Sequence, residues 1–216
     1  MQGPLKNCAV ALALAMGLLP ACRGGPGRAG KDGACPEEMA PIPGLGACID
    51  RYEAFIEDRD GHLTAMVAKG TMPAVETSFN QALEACTNAG KRLCTLAEWD
   101  RACEGKEKRT YPYGSSFDAA ACNGADLYAD PAASAPKPSG AMPKCTTPEG
   151  VADLSGNLWE WVDEKDGSGN LRLLRGGGYS NKDYLLDCRT EKNAFQPVDQ
   201  ARRGYGFRCC KDGGTP

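Results

Sequence analysis

Residues 150–164, GVADLSGNLWEWVDE, gather four carboxylates, Asp153 and Glu160 among them, a Gly-Asn turn and two tryptophans into fifteen positions. At a strand's period of two, Leu158, Glu160 and Val162 share one face while Trp159 and Trp161 share the other. The Gly156-Asn157 turn therefore feeds a strand, with Asp153 and Glu160 on either side of it. Hard carboxylate oxygens and nearby backbone carbonyls are the chemistry of a Ca²⁺ site, with water completing the shell. A turn aspartate and a solvated strand glutamate would give the same letters, so spacing alone leaves both readings open.

Cysteine is the other residue type that could do chemistry, with 12 in a chain of 216 residues and a net charge of −3. Zinc is disfavoured, because there is no CxxC pair and His62 is the single histidine. A short apolar run over residues 8–19 follows Lys6 and leads to Ala21-Cys22. It is too short for a stable membrane span and reads as an export signal. A small residue before cysteine fits a bacterial lipoprotein signal, so Cys22 is the expected lipidation site and membrane anchor; an ordinary secretory signal is the alternative. Either way Cys8 is removed, and with Cys22 carrying lipid ten cysteines remain: Cys35, Cys48, Cys86, Cys94, Cys103, Cys122, Cys145, Cys188, Cys209 and Cys210. In an oxidising compartment they read as up to five disulfides, whose pairing the sequence does not give. The acidic balance offers no nucleic-acid footprint.

Two helices must position this chemistry. Ser78 and Gln81 form a capping-box pattern ahead of Phe79, Ala82, Leu83 and Cys86, with Gly90 as the stop. Thr95 and Glu98 repeat it ahead of Leu96, Trp99 and Cys103, with Gly105 as the stop. From Tyr111 onward helical periodicity disappears, leaving loops and short strands, and Cys122 and Cys145 bracket the loosest stretch. The expected organisation is a signal over residues 1–21, a Gly-rich tether over 22–34, one domain over 35–211 and a tail over 212–216.

Several segments, in order, resemble the formylglycine-generating enzymes, the sulfatase-modifying-factor family: MAPIPG and IDRYE at 39–53, NAGKRLCTLAEWDRACE at 88–104, YPYG at 111–114, GNLWEW at 156–161, LRGGGY at 174–179 and GFRC at 206–209. The resemblance implies an α+β fold of the C-type-lectin-like kind: loop-rich, with two main helices, short antiparallel strands and disulfide staples. It also implies calcium held by the side chains of Asp153 and Glu160 and the carbonyls of Gly156 and Leu158. A second calcium site would begin near Asn123, but its later acidic position has no counterpart that can be placed.

Active members of that family oxidise a substrate cysteine to formylglycine with copper on two thiolates five residues apart. Soft thiolates suit Cu(I). Here Cys188 takes the second place, and five residues earlier stands Asp183, a hard oxygen ligand that cannot replace a thiolate. The family's non-haem iron relatives use several histidines, which this chain lacks. The expectation is therefore a non-catalytic binding or structural module of the cell envelope, whose partner is a protein, peptide or glycan, without copper. The alternative is a copper-dependent oxidase using Cys188, or a maturation factor for an exported oxidoreductase.

Overall fold

The computed structural model describes residues 35–189 and 194–213. The signal, the tether and Cys22 lie outside the described residues.

Three sheets carry the described chain. The first joins β1 (Met39–Pro41), β2 (Ala47–Asp50), β10 (Cys209–Asp212) and β5 (Arg92–Leu93), in that order. The opening strand pair expected from MAPIPG and IDRYE is β1 against β2, antiparallel with Ala40 opposite Ile49. Because β10 pairs with β2, the end of the domain closes on its beginning, and it runs one residue past the expected boundary at 211. The second sheet is a hairpin of β3 (Phe55–Arg59) and β4 (His62–Met66). The third has the order β8 (Ala194–Pro197), β7 (Leu171–Arg175), β6 (Trp159–Lys165), β9 (Tyr205–Gly206). Its β6–β9 pair is parallel, a departure from the antiparallel expectation.

Both helices form where their caps place them. α1 (Phe79–Asn88) has the full Ser78–Gln81 capping box, and Gly90 follows at φ +69°. α2 (Leu96–Glu104) has the Thr95–Glu98 box and ends at Gly105, φ +66°. The reciprocal bonds satisfy backbone donors that the first turn otherwise leaves unpaired. Between α2 and β6 the chain has no regular element except the 3₁₀ turns Ala125–Leu127 and Pro131–Ala133.

The sheet with β6 lies between two apolar clusters, which explains why the strand alternates residue types yet buries both faces. Val162 packs with Trp99, Leu154 and Leu173 on one side. Trp161 packs with Phe79, Leu174 and Phe207 on the other, its ring edge-on to Phe79 and Tyr205. Trp161 Nε1 donates to the carbonyl of Thr77 at 2.7 Å, so the indole is buried without a stranded donor.

Five disulfides pin this arrangement: Cys35–Cys48, Cys86–Cys209, Cys94–Cys210, Cys103–Cys188 and Cys122–Cys145. Neighbouring Cys209 and Cys210 point to opposite faces of β10, so one reaches α1 and the other reaches Cys94, just before α2. Such a set is that of an exported or secreted domain. Among the described residues, no helix is long and apolar enough to cross a membrane.

Candidate functional site

The Gly-Asn turn folds as the sequence suggests, and for a local reason. Asp153, Gly156 and Asn157 all adopt positive φ, at 60°, 76° and 59°. Aspartate and asparagine tolerate this region better than other side chains, and glycine adopts it freely. A Cβ on Gly156 would collide with the carbonyl of Asn123, so glycine also lets the two segments touch. Asn157 then becomes a hub, its Oδ1 accepting from Asn123 Nδ2 and the Lys137 amide, both at 2.8 Å.

Below the turn lies a buried charged cluster that spacing did not disclose. Arg208 is fully buried and grips Glu160 with two bonds, Nε to Oε2 at 2.7 Å and Nη2 to Oε1 at 2.6 Å. Its remaining donors reach the carbonyls of Asp50 and Ala152 at 3.0 and 2.9 Å. Trp99 Nε1 adds a third bond to Glu160, at 2.7 Å. Glu53, also buried, accepts from the Leu158 amide at 3.1 Å, from Asn157 Nδ2 at 2.5 Å and from Ser139 Oγ at 3.2 Å. Asp153 Oδ2 accepts from the Gly140 amide at 2.6 Å.

Three acids thus share one buried arginine. Burial, reinforced by the charges of Asp153 and Glu160, holds the Glu53 carboxyl well above its ordinary range. Burial likewise lifts Asp153 to about 6, against the opposing pull of the Gly140 amide and Arg208.

Of the four expected calcium donors, Glu160 is already engaged. Both its oxygens accept from Arg208, and Trp99 takes a further lone pair. A divalent cation at Glu160 would have to compete with the Arg208 guanidinium for the carboxylate. Of that expected set, the Glu160 side chain is engaged by Arg208 and Trp99, and the Asp153 side chain by the Gly140 amide.

This has a measurable consequence. Asp153 binds its proton more tightly folded than unfolded, so its contribution to stability is present at low pH and is lost as pH rises from about 4 to above about 6. Asp153→Asn is expected to gain on the wild type in urea midpoint across that interval, and EDTA to leave both midpoints unchanged. A calcium-dependent midpoint that Asp153→Asn abolishes would show instead that the carboxylate serves an ion.

The copper segment is occupied differently. Cys188 is fully buried, bonded to Cys103 of α2, and its amide donates to the Thr110 carbonyl at 2.8 Å. Asp183 opens the 3₁₀ turn Asp183–Leu185; its amide donates to Asp126 Oδ2 at 3.0 Å and its Oδ1 accepts from the Tyr184 amide at 2.7 Å. It holds a turn, and the sulfur bonded to Cys188 is that of Cys103. With all ten cysteines of the described residues in disulfides, no thiolate remains there to bind Cu(I) or to act as a nucleophile.

Glu53 and Arg208 are the residues that sequence reasoning missed. Each lies inside a segment that carries the family resemblance, IDRYE and GFRC, but neither spacing nor charge pattern marks them as partners across 155 positions. The one available signal was an arginine next to a buried Cys-Cys pair, where an ion-pair partner must exist.

Known proteins agree with this architecture. Residues 46–213 match the model of the sulfatase-modifying factor enzyme 1-like domain. The chain is 27% identical over 177 residues to the formylglycine-generating enzyme of Mus musculus, covering 71% of this chain and 48% of that protein. It is 30% identical over 178 residues to the Bos taurus protein named inactive C-alpha-formylglycine-generating enzyme 2, covering 76% of this chain and 58% of that protein. The chain thus spans about half the length of these curated relatives. Among solved structures, Treponema denticola variable protein 1 superposes with a TM-score of 0.62 at 14% identity, over 77% of this chain and 84% of that one, a likeness of fold. By the extent of the family match, and by the motifs and fold that accompany it, the chain belongs to the sulfatase-modifying-factor (formylglycine-generating-enzyme-like) domain family.

Proposed function

We propose that the domain is a non-catalytic binding or structural module of the cell envelope, exported and held to a membrane by lipid on Cys22. The observation that carries this reading is the Cys103–Cys188 disulfide, which consumes the only cysteine that sequence places at the copper site. A Cu(I) site needs two thiolates, and Asp183 offers a hard oxygen that is already tied into its own turn. The relative named as inactive lends support; the active relatives at similar identity keep the copper oxidase as the reading to beat. Partners on this view are proteins, peptides or glycans of the envelope, met by the irregular surface between α2 and β6.

The test is a count of free thiols in the unreduced exported protein, with none expected over residues 35–213. For the anchor, wild-type protein should incorporate labelled palmitate and Cys22→Ser should not; label retained by the variant would remove Cys22 from the account.

A further inference from the structure

The loop running from Ala135 to Ala152 closes a cleft of about 350 Å³ over Arg51, Tyr52 and Lys69, and two cations in it have no acidic partner among the described residues. Arg51 is held by neutral oxygens alone. Its Nε donates to the Glu37 carbonyl at 3.1 Å, and its Nη1 to the carbonyls of Glu149 and Gly150 at 2.9 and 3.3 Å. Those bonds fix the plane of the guanidinium while leaving its charge unmatched and Nη2 with no protein acceptor among the described residues. Lys69 makes no ion pair among the described residues. It is carried to the cleft by backbone bonds on both sides of the loop, Gly70 N to Ser139 O at 2.8 Å and Ser139 N to Thr71 O at 2.9 Å.

Two glycines make room for these side chains. Gly150, φ +83°, would bring a Cβ to 2.6 Å from Arg51 Nη1. Gly140, φ +72°, would bring one to 2.8 Å from the Tyr52 ring and 3.2 Å from Lys69 Cγ. The acids of the same loop are engaged elsewhere: Glu149 Oε2 faces Arg109 Nη2 at 3.6 Å, and Asp153 Oδ2 accepts from the Gly140 amide.

From this geometry we infer that the cleft between Arg51 and Lys69 binds a small oxyanion, a carboxylate, sulfate or phosphate group, either free or carried on a larger ligand. A pre-oriented guanidinium with an open edge recognises planar or tetrahedral oxyanions, and the ammonium adds a mobile second charge. Thr146 lines this cleft and also an adjoining one of about 530 Å³ that holds Tyr113 and Lys144, so a carrier has room to continue along the loop. This ligand class rests on the binding-module reading; its failure would leave that reading intact, whereas free thiols would overturn the reading itself.

Amide shifts of Gly140 and Gly150 in the ¹⁵N-labelled domain provide the test, with sodium acetate, sulfate and phosphate titrated against sodium chloride at equal ionic strength. Saturable shifts are expected with the oxyanions and not with chloride. Lys69→Gln, at an exposed position where folding is not at stake, should weaken them about tenfold, and Arg51→Gln at least as much. A sulfated disaccharide and an acidic tetrapeptide then distinguish the carriers, the true one binding tighter than the bare ion. Equal shifts from chloride, or undiminished binding by Lys69→Gln, would overturn the assignment.

Discussion

Arg208→Met is expected to cost the domain about 3–5 kcal/mol, a large part of the stability available to a domain of this size. The substitution removes the one cation among Glu53, Asp153 and Glu160 and strands Glu160 with its charge buried. It also leaves the carbonyls of Asp50 and Ala152 without their donor. Taking both ends away should cost less than the sum, because Arg208→Met with Glu160→Gln removes the uncompensated charge. A urea-denaturation cycle over the wild type, both single variants and the double variant reads this coupling. Strict additivity would mean that the pair is not the organising contact beneath the turn.

The second large effect concerns the link between the two ends of the domain. Cys86–Cys209 spans 123 positions and joins α1 to β10, the strand that closes on β2. Replacing both cysteines by alanine should cost about 2–5 kcal/mol, because the unfolded chain regains the freedom of a long loop and an apolar cluster loses two buried sulfurs. Removing Cys122–Cys145, which spans 23 positions in the irregular region, should cost less. Thermal unfolding of the two double variants orders them, and a larger loss from the shorter loop would put the closure of β10 in second place.

How much of this was legible in the sequence depends on how local the cause is. The capping boxes at Ser78 and Thr95 read directly, because each is completed within four residues. The Gly156-Asn157 turn read just as well, its positive φ values demanding those residue types. The even count of ten cysteines pointed to disulfides, while their pairing waited on which strands lie side by side. Cys209 and Cys210 take separate partners, in keeping with the poor geometry of a bond between adjacent cysteines.

The cluster beneath the turn was not legible. Asp153 and Glu160 stood out as oxygen donors, and their spacing suited calcium. Not marked by spacing is Arg208, 48 residues beyond Glu160, whose guanidinium binds that carboxylate with two bonds. Glu53, 107 residues before Glu160, was visible only as one letter of a motif. Side chains that converge from different sheets leave no periodic trace, and a buried ion pair looks in sequence like two surface charges. For the same reason the unmatched charge on Arg51 is a property of fold and not of pattern, since only the structure shows that its acceptors are carbonyls.

On the proposed non-catalytic reading, the Cys103–Cys188 disulfide removes the cysteine chemistry of the family's oxidases. Alkylating the exported, unreduced protein with a mass-tagged maleimide under denaturing conditions, then mapping the peptides, tests it most directly. The account predicts no label on any of the ten cysteines between Cys35 and Cys210, and Cys103 and Cys188 recovered in one cross-linked peptide. A free pair of thiols that includes Cys188 would contradict it and restore the copper oxidase.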